Sequence, residues 1–340
     1  MIARVTLEIA LRKEFDYLVP EEFQDRVEIG SRVKVPFGPR KVMGVVTDLP
    51  AQSEHAKLKP ILGVVGKGSF VTPKVLELAR WMAGYYCCPV ETALKSVLPV
   101  SVRKEKEGWK KQLYVRSIEP VGSPSKLTKR QEELNAVLRE WKELPLQEFL
   151  KMTQSTQATV KKLESAGVAL ISREVIERDP YAHEHIVPTE PLELNQEQKT
   201  SMDAVLKAMN HEEAAKQSNV FLLHGVTGSG KTEVYLQAIQ HALEQGKGAI
   251  VLVPEISLTP QTVERFKARF SSGKYQTLVA VLHSHLSEGE RHDEWHKIKE
   301  GRARIVIGAR SAVFAPIDPL GLIIVDEEHE HSYKQEEAPR

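Results

Sequence analysis

Eight consecutive residues, Gly225-Val226-Thr227-Gly228-Ser229-Gly230-Lys231-Thr232, match the pattern G-x-x-x-x-G-K-[ST] without deviation. The chemistry of that pattern is phosphate binding. Glycines let successive backbone N–H groups turn toward one anion, and a following helix adds the positive end of its dipole. Lys231 then reaches the β- and γ-phosphates, and the Thr232 hydroxyl is a ligand for the Mg²⁺ that accompanies ATP. Such a loop needs an acidic partner. The apolar run Leu322-Ile323-Ile324-Val325 leads straight into Asp326-Glu327-Glu328-His329. Asp326, at the end of that strand, is placed to hold Mg²⁺ directly or through water, and Glu327 to polarise an attacking water.

The elements that must position these residues follow from the hydrophobic pattern. Val220–Leu223 is predicted as the strand before the loop, and Tyr235, Ala238, Ile239 and Ala242 mark the apolar face of the helix after it. From Leu194 onward, helical segments alternate with short apolar strands: Val220–Leu223, Ala249–Val253, Val279–Leu282, Ile305–Ile307 and Leu322–Val325. That alternation predicts a parallel sheet flanked by helices.

Upstream the pattern differs. Residues 1–66 predict short strands at Ile2–Ile9, Phe15–Val19, Arg32–Val35 and Val42–Val46, with turns at Gly30, Pro36, Gly38 and Pro39, as in a small barrel or compact sheet. Residues 73–87 predict a helix. A charged stretch from Arg103 to Lys111 and the turn-rich Gly122–Lys126 mark a boundary. Thr128 caps a helix over Gln131–Glu140, Pro145 opens a second, and Gln157–Gly167 forms a third before the strand Val168–Arg173. Three short helices and a strand are the pattern of a winged-helix unit, which binds DNA in some proteins and other proteins elsewhere. A second linker, rich in Pro, His and Glu, covers residues 179–193.

Composition bounds the rest. A chain of 340 residues accommodates two or three domains. With 41% hydrophobic and 27% charged residues it is neither disordered nor collagen-like. It has no apolar run of the roughly 18–20 residues that cross a bilayer, and Met1–Ala10 lacks a signal-peptide core. Two adjacent cysteines, Cys87 and Cys88, build neither a disulfide framework nor a four-thiolate zinc site, and fit a reducing cytoplasm. The net charge of +1 conceals an uneven layout: 18 Lys+Arg against 13 Asp+Glu over residues 1–110, 12 of each over 111–191, and 17 against 21 over 192–340. Attraction for a polyanion is therefore expected at the N-terminal end. The pairs His183/His185, His283/His285 and His329/His331 have no evident third metal ligand.

The motifs together resemble superfamily 2 helicases and, more closely, the PriA family of replication-restart DNA helicases. The resemblance rests on Gly225–Glu233, Val253–Gln261, His283-Ser284 with Leu286-Ser287, Ile307–Pro316, Asp326–His329 and Ser332–Gln335, and at the N-terminus on Phe15–Leu18 and Val35–Gly38. It runs along essentially the whole chain. The fold it implies is multidomain α/β: a small, mainly-β DNA 3′-end-binding domain over residues 1–108, a winged-helix domain over 112–178, and a RecA-like lobe with a parallel sheet over 192–340.

The resemblance also assigns roles. Asn195, Gln196 and Gln198 lie where such helicases read adenine, with Gln198 the chosen residue. Arg310 and Ser311 would face the DNA backbone, His329 would couple nucleotide state to DNA, and Tyr333 and Lys334 would begin an aromatic-rich DNA-contacting loop. Phe15, Asp16, Gly38 and Lys59 would form a pocket for a 3′-terminal nucleotide. A terminal base stacks on an aromatic ring, and the Asp16 carboxylate can accept a hydrogen bond from a free 3′-OH. The implied activity is ATP-dependent 3′→5′ unwinding of forked DNA at stalled forks. The implied partners are forked and single-stranded DNA, single-stranded-DNA-binding protein, primosome proteins and the replicative helicase. The family's second motor lobe, its arginine fingers and its zinc-binding cysteines are expected beyond residue 340, so residues 1–340 alone are expected to hydrolyse ATP poorly. Two rival readings are a phosphate-loop ATPase that needs no DNA, and a non-catalytic fork-binding module.

Overall fold

The structure is a computed structural model of residues 1–340. It describes residues 1–9, 13–66, 68–69, 71–98, 110–118, 127–176, 178, 186–210, 220–271 and 276–334. The chain divides into two compact units, Met1–Gly108 with Pro180–Arg340, and Trp109–Asp179.

The first unit begins with β1 (Ile2–Leu7), β2 (Phe15–Leu18), β3 (Arg32–Phe37), β4 (Arg40–Asp48) and β5 (Gly63–Val65). They form one antiparallel sheet in the order β2-β1-β4-β3-β5. Alternation sends Ala3, Val5 and Leu7 into a core with Val33, Val35, Tyr17 and Ile61. The β1–β2 register sets Arg4 opposite Asp16 and Val5 opposite Phe15. Pro36, expected in a turn, lies within β3 opposite Lys41. The turn itself is Gly38-Pro39, and β3 with the start of β4 runs beyond the apolar residues that defined the prediction.

Two helices follow. In α1 (Pro73–Tyr85), Pro73 occupies the first turn, where no N–H partner is needed, and Thr72 Oγ1 accepts from Val75 N. α1 and α2 (Val90–Val97) bury Leu76, Ala79, Met82, Ala93, Leu94 and Val97 in a second core that includes Val45 of β4.

The remainder of this unit is the parallel sheet. Its helices are α6 (Gln196–Asn210), α7 (Lys231–Glu244), α8 (Pro260–Phe270) and α9 (Glu288–Lys299), and its strands β9 (Gly248–Leu252), β10 (Leu278–Leu282), β11 (Ala303–Gly308) and β12 (Leu320–Val325). The strand order is β10-β11-β9-β12, all parallel. Period-two alternation splits β9 between two cores. Ala249 and Val251 pack with Leu236, Ile239, Phe266 and Phe270 on one face. Ile250 and Leu252 pack with Leu282, Ile298 and Val306 on the other.

One expected strand is absent. Val220–Leu223 pairs with no strand among the described residues, and Val220 and Leu222 are 91% and 75% exposed. An apolar run does not make a strand unless a neighbour supplies its ladder bonds.

The second unit holds β6 (Lys110–Ser117), α3 (Lys129–Trp141), β7 (Glu143–Pro145), α4 (Leu146–Thr153), α5 (Gln157–Ser165) and β8 (Ala169–Ile176). The sheet order is β7-β6-β8, antiparallel throughout. Thr128 and Gln131 form a capping box at α3. Phe149, Leu134, Leu138 and Leu163 fill a core against Val115 of β6. β6 was not predicted; its charged start, Lys110-Lys111, reads as a boundary. The linker Gly122–Lys126 and the pair His183/His185 lie outside the described residues. Among the described residues, no helix is long and apolar enough to cross a membrane.

Candidate functional site

The phosphate loop is shaped by its glycines. Gly228 and Gly230 take φ of +82° and +83°, where a Cβ would crowd the backbone. Ser229 N donates to Val226 O, and Glu233 N to Gly230 O, so the loop closes directly into α7. No side chain caps the start of α7, which leaves its first-turn N–H groups available to an anion. Lys231 Nζ donates to the carbonyls of Gly225 at 2.6 Å and Val226 at 3.2 Å, which holds the ammonium over the loop.

Gln198 reaches the same loop. Asn195 and Gln198 cap α6 reciprocally: each side-chain oxygen accepts from the other's backbone N–H at 2.9 Å. Gln198 Nε2 then donates to Ser229 O at 2.9 Å. A Cβ on Gly230 would lie 2.4 Å from that nitrogen, so Gly230 admits the contact as well as the turn. Gln196 begins α6 and makes no such contact with the loop.

A buried ion pair fixes the chain entering α6. Arg269 donates to both Glu233 oxygens at 3.1 and 2.9 Å. Leu192 N donates to Glu233 Oε1, and Gln237 donates to Leu192 O. Burial alone would push the Glu233 carboxyl up, but the hydrogen bonds from Arg269, Gln237 and Leu192 hold it below the usual range. Sequence reasoning missed this pair. Its signal was an acidic residue two positions past Lys231, on an otherwise apolar helix face.

The acidic partner sits at the end of β12. Asp326 N donates to Leu252 O, extending the ladder by one bond. Tyr235 of α7 donates its hydroxyl to Asp326 Oδ1 at 3.4 Å. Burial raises the Asp326 carboxyl above its ordinary range, and Glu327 adds repulsion; the Tyr235 bond and the Lys231 charge offset part of this. The same burial and the same carboxylate push the Tyr235 phenol to about 12. Glu327 takes φ +48°, uncommon for a side chain and frequent at functional turns. His329 is exposed and lies 3.4 Å from Glu328 and 3.7 Å from Glu327.

A divalent cation fits these residues. The Thr232 hydroxyl and the Asp326 carboxylate are hard oxygen donors of the kind Mg²⁺ prefers, and a cation would relieve the crowding of Asp326 against Glu327. Elsewhere among the described residues, no three His, Cys, Asp or Glu side chains converge on a metal position. His283 and His285 have ring centroids 5.9 Å apart, and His285 lies 3.6 Å from Glu255.

Two expected DNA-facing segments are tied together. Arg310 donates to Lys334 O at 2.7 Å, and Ser311 is exposed. Tyr333 is turned inward. Its hydroxyl donates to Asp326 O at 2.7 Å and its ring packs on a core. It links this segment to the acidic strand end.

Phe15, Asp16, Gly38 and Lys59 come together on the first sheet. They line a cavity of about 200 Å³ with Phe37, His55 and Lys57. The Phe15 and Phe37 rings meet edge to face at 5.4 Å. Gly38 takes φ +57° in the β3–β4 turn. Lys59 is placed because Leu18 N donates to Lys59 O, which lays that segment along β2. Asp16 accepts from Arg4 Nε at 2.9 Å and Ser53 Oγ at 2.7 Å. Burial works to raise its carboxyl, but those bonds and the Arg4 charge hold it below the usual carboxylate range. The carboxylate is therefore ionised and oriented. Arg4, Ser53, His55 and Lys57 were not foreseen, because only the fold brings residues 4 and 53–57 to Asp16.

Two stretches of the chain match known domain families. Residues 4–99 match the model of a 3′-DNA-binding domain (3′BD) of PriA, and residues 195–339 that of a DEAD/DEAH box helicase. The replication restart protein PriA of Bacillus subtilis is 37% identical over 96% of this chain and 48% of its own length. Those of Haemophilus influenzae and Chlamydia muridarum are 36% and 35% identical over all of this chain and 46% and 45% of theirs. The chain thus spans about half the length of the curated relatives it matches.

Proposed function

Because the chain belongs to the PriA family by both matched domains and corresponds to the N-terminal part of its members, we propose that it acts in an ATP-dependent 3′→5′ DNA helicase that recognises stalled replication forks through the nascent 3′ end and initiates primosome assembly. One observation carries this reading: an aromatic cavity with an ionised, pre-oriented Asp16 lies in the same compact unit as a complete phosphate loop. A terminal base would stack in the Phe15–Phe37 cavity while its 3′-OH donates to Asp16. An internal nucleotide would bring a phosphate to that carboxylate and be repelled. Lys59 supplies charge for the phosphodiester, and Gly38 keeps the rim open.

At the second site, the loop N–H groups and Lys231 bind the triphosphate, Thr232 and Asp326 hold Mg²⁺, and Glu327 orients the attacking water. A cation held there would neutralise phosphate charge. Gln198 braces the loop beside the adenine. His329, Arg310, Ser311 and Lys334 form the DNA side, with Tyr333 tying that side to the Asp326 strand end. The unit Trp109–Asp179 is read as a winged helix that contacts DNA or a partner. The partners would be forked DNA, single-stranded-DNA-binding protein, primosome proteins and the replicative helicase, at replication forks in the bacterial cytoplasm.

ATPase of the full-length protein, measured with and without a fork bearing a 3′-OH at its junction, tests this. Fork-dependent turnover is expected, and Lys231→Ala should abolish it while sparing fork binding. Turnover indifferent to DNA would favour an ordinary phosphate-loop ATPase.

A further inference from the structure

The end-binding sheet and the motor sheet are joined through aromatic side chains. Trp295 of α9 is 3% exposed, and it belongs to the core that α1 and α2 build with Val45. Phe314 packs against the same core. Both come from the motor half of the unit.

Their positions in the chain are informative. α9 starts at the cap Ser287, immediately after the His283–Leu286 stretch. Phe314 closes the 3₁₀ turn Arg310–Phe314 that opens with Arg310 and Ser311. One motif that carries the family resemblance and one segment read as DNA-facing therefore each lead into an aromatic side chain that packs with the N-terminal helices. α9 itself is strongly polar, yet Glu294 and Lys297 are buried. They pair at 2.6 Å, and Glu294 accepts from Val281 N at 2.8 Å, which fastens the helix to β10. Trp295 fastens it on the α1–α2 side.

The other end of the connection reaches the cavity. Arg80 of α1 donates to Thr47 O at 3.0 Å and lies 3.8 Å from Glu14, next to Phe15. Thr6 donates to the same Glu14, and Arg4, two residues before Thr6 on β1, pairs with Asp16. The cavity strands and α1 are thus linked by hydrogen bonds and ion pairs, and α1 shares an apolar core with Trp295 of α9.

We propose that Trp295 and Phe314 are positioning residues that lock the 3′-end cavity and the motor's DNA-facing segments into one rigid body, so that a captured 3′ end sits at a fixed place on the DNA track. The inference rests on reading that cavity as a 3′-end site. Rigid elements with shared packing are the physical means by which such coupling is carried.

The test uses the full-length protein and forks whose junction 3′ end is free or blocked. Trp295→Ala should bind a free 3′ end within about 2-fold of wild type and keep its turnover on plain single strands, while its turnover ratio on free over blocked forks falls toward one. Trp295→Phe should restore that ratio. An unchanged ratio in Trp295→Ala overturns the inference. Hydrogen exchange of the wild type with a 3′-OH dinucleotide needs no variant. Slowed exchange should extend from the cavity to α1, α9 and residues 310–314; slowing confined to residues 15–17, 36–38 and 55–59 overturns the inference. If wild type does not distinguish free from blocked ends in binding, the cavity reading itself fails, which is a separate outcome.

Discussion

Gln198 Nε2 lies 2.9 Å from the carbonyl oxygen of Ser229, so the residue that caps α6 also braces the phosphate loop. Its Oε1 is already engaged by Asn195 N. One amide hydrogen and one lone pair remain for a base. Gln198→Ala should weaken ATP binding roughly 3- to 10-fold per lost bond, and should lower the preference for ATP over GTP. Titration with both nucleotides checks this; an equal loss for the two would leave Gln198 as a brace only.

Tyr235 should set the acidic limit of nucleotide binding. Asp326 is already raised by burial and by Glu327, and the Tyr235 hydroxyl lowers it. Tyr235→Phe should therefore move the pH below which Mg²⁺-dependent ATP binding is lost upward. The linkage sign for stability is the reverse of the usual carboxylate case: a folded value above the unfolded one makes the ionised form a cost, and stability falls as pH rises through it. Asp326→Asn should thus raise the melting temperature at neutral pH while abolishing turnover. A melting temperature that drops in that variant would contradict the electrostatic account.

The Glu233–Arg269 pair should show the asymmetry of buried charge. Both side chains are nearly enclosed, at 11% and 5% exposure. Removing one partner leaves the other uncompensated, so Glu233→Ala should cost about 3–5 kcal/mol in denaturant unfolding. Glu233→Met with Arg269→Leu should recover most of the loss. A single-variant cost below about 1 kcal/mol would mean that water reaches the remaining charge.

These sites were unequally legible. The phosphate loop could be read directly, because its chemistry is local: eight consecutive residues carry the turn, the donors and the lysine. β9 to β12 were legible because continuous apolar runs specify buried strands. Val220–Leu223 failed by the same rule, since a ladder partner lies outside the run itself. The cavity around Asp16 was legible only through resemblance. Phe15 reads as core and Asp16 as surface until the β1–β2 register brings Arg4 against Asp16 and the chain returns with Ser53 and Lys59. Trp295 was hidden for a related reason: apart from Trp295 and Ile298, α9 is almost wholly polar, and only packing shows that Trp295 is a core residue of a different sheet's helices.

Gly38 should tolerate no ordinary side chain without a conformational cost. Its φ is +57°, and a Cβ there would meet nothing within 4 Å. Gly38→Ala should therefore destabilise by about 1–2 kcal/mol through backbone strain alone, and Gly38→Asn by less. Both should weaken binding of a free 3′ end, read by fluorescence anisotropy. A Gly38→Ala variant of wild-type stability would show that the turn relaxes.

In the proposed function, Asp16 recognises a free 3′-OH by accepting its hydrogen bond. The most direct measurement is the affinity of the protein for two oligonucleotide ends that differ only in that hydroxyl, 3′-OH and 3′-deoxy, in wild type and in Asp16→Asn. Wild type should prefer the 3′-OH end by roughly 10- to 100-fold, the worth of a hydrogen bond to a charged acceptor, and Asp16→Asn should bind both ends nearly alike. Equal binding of the two ends by the wild type would contradict the account.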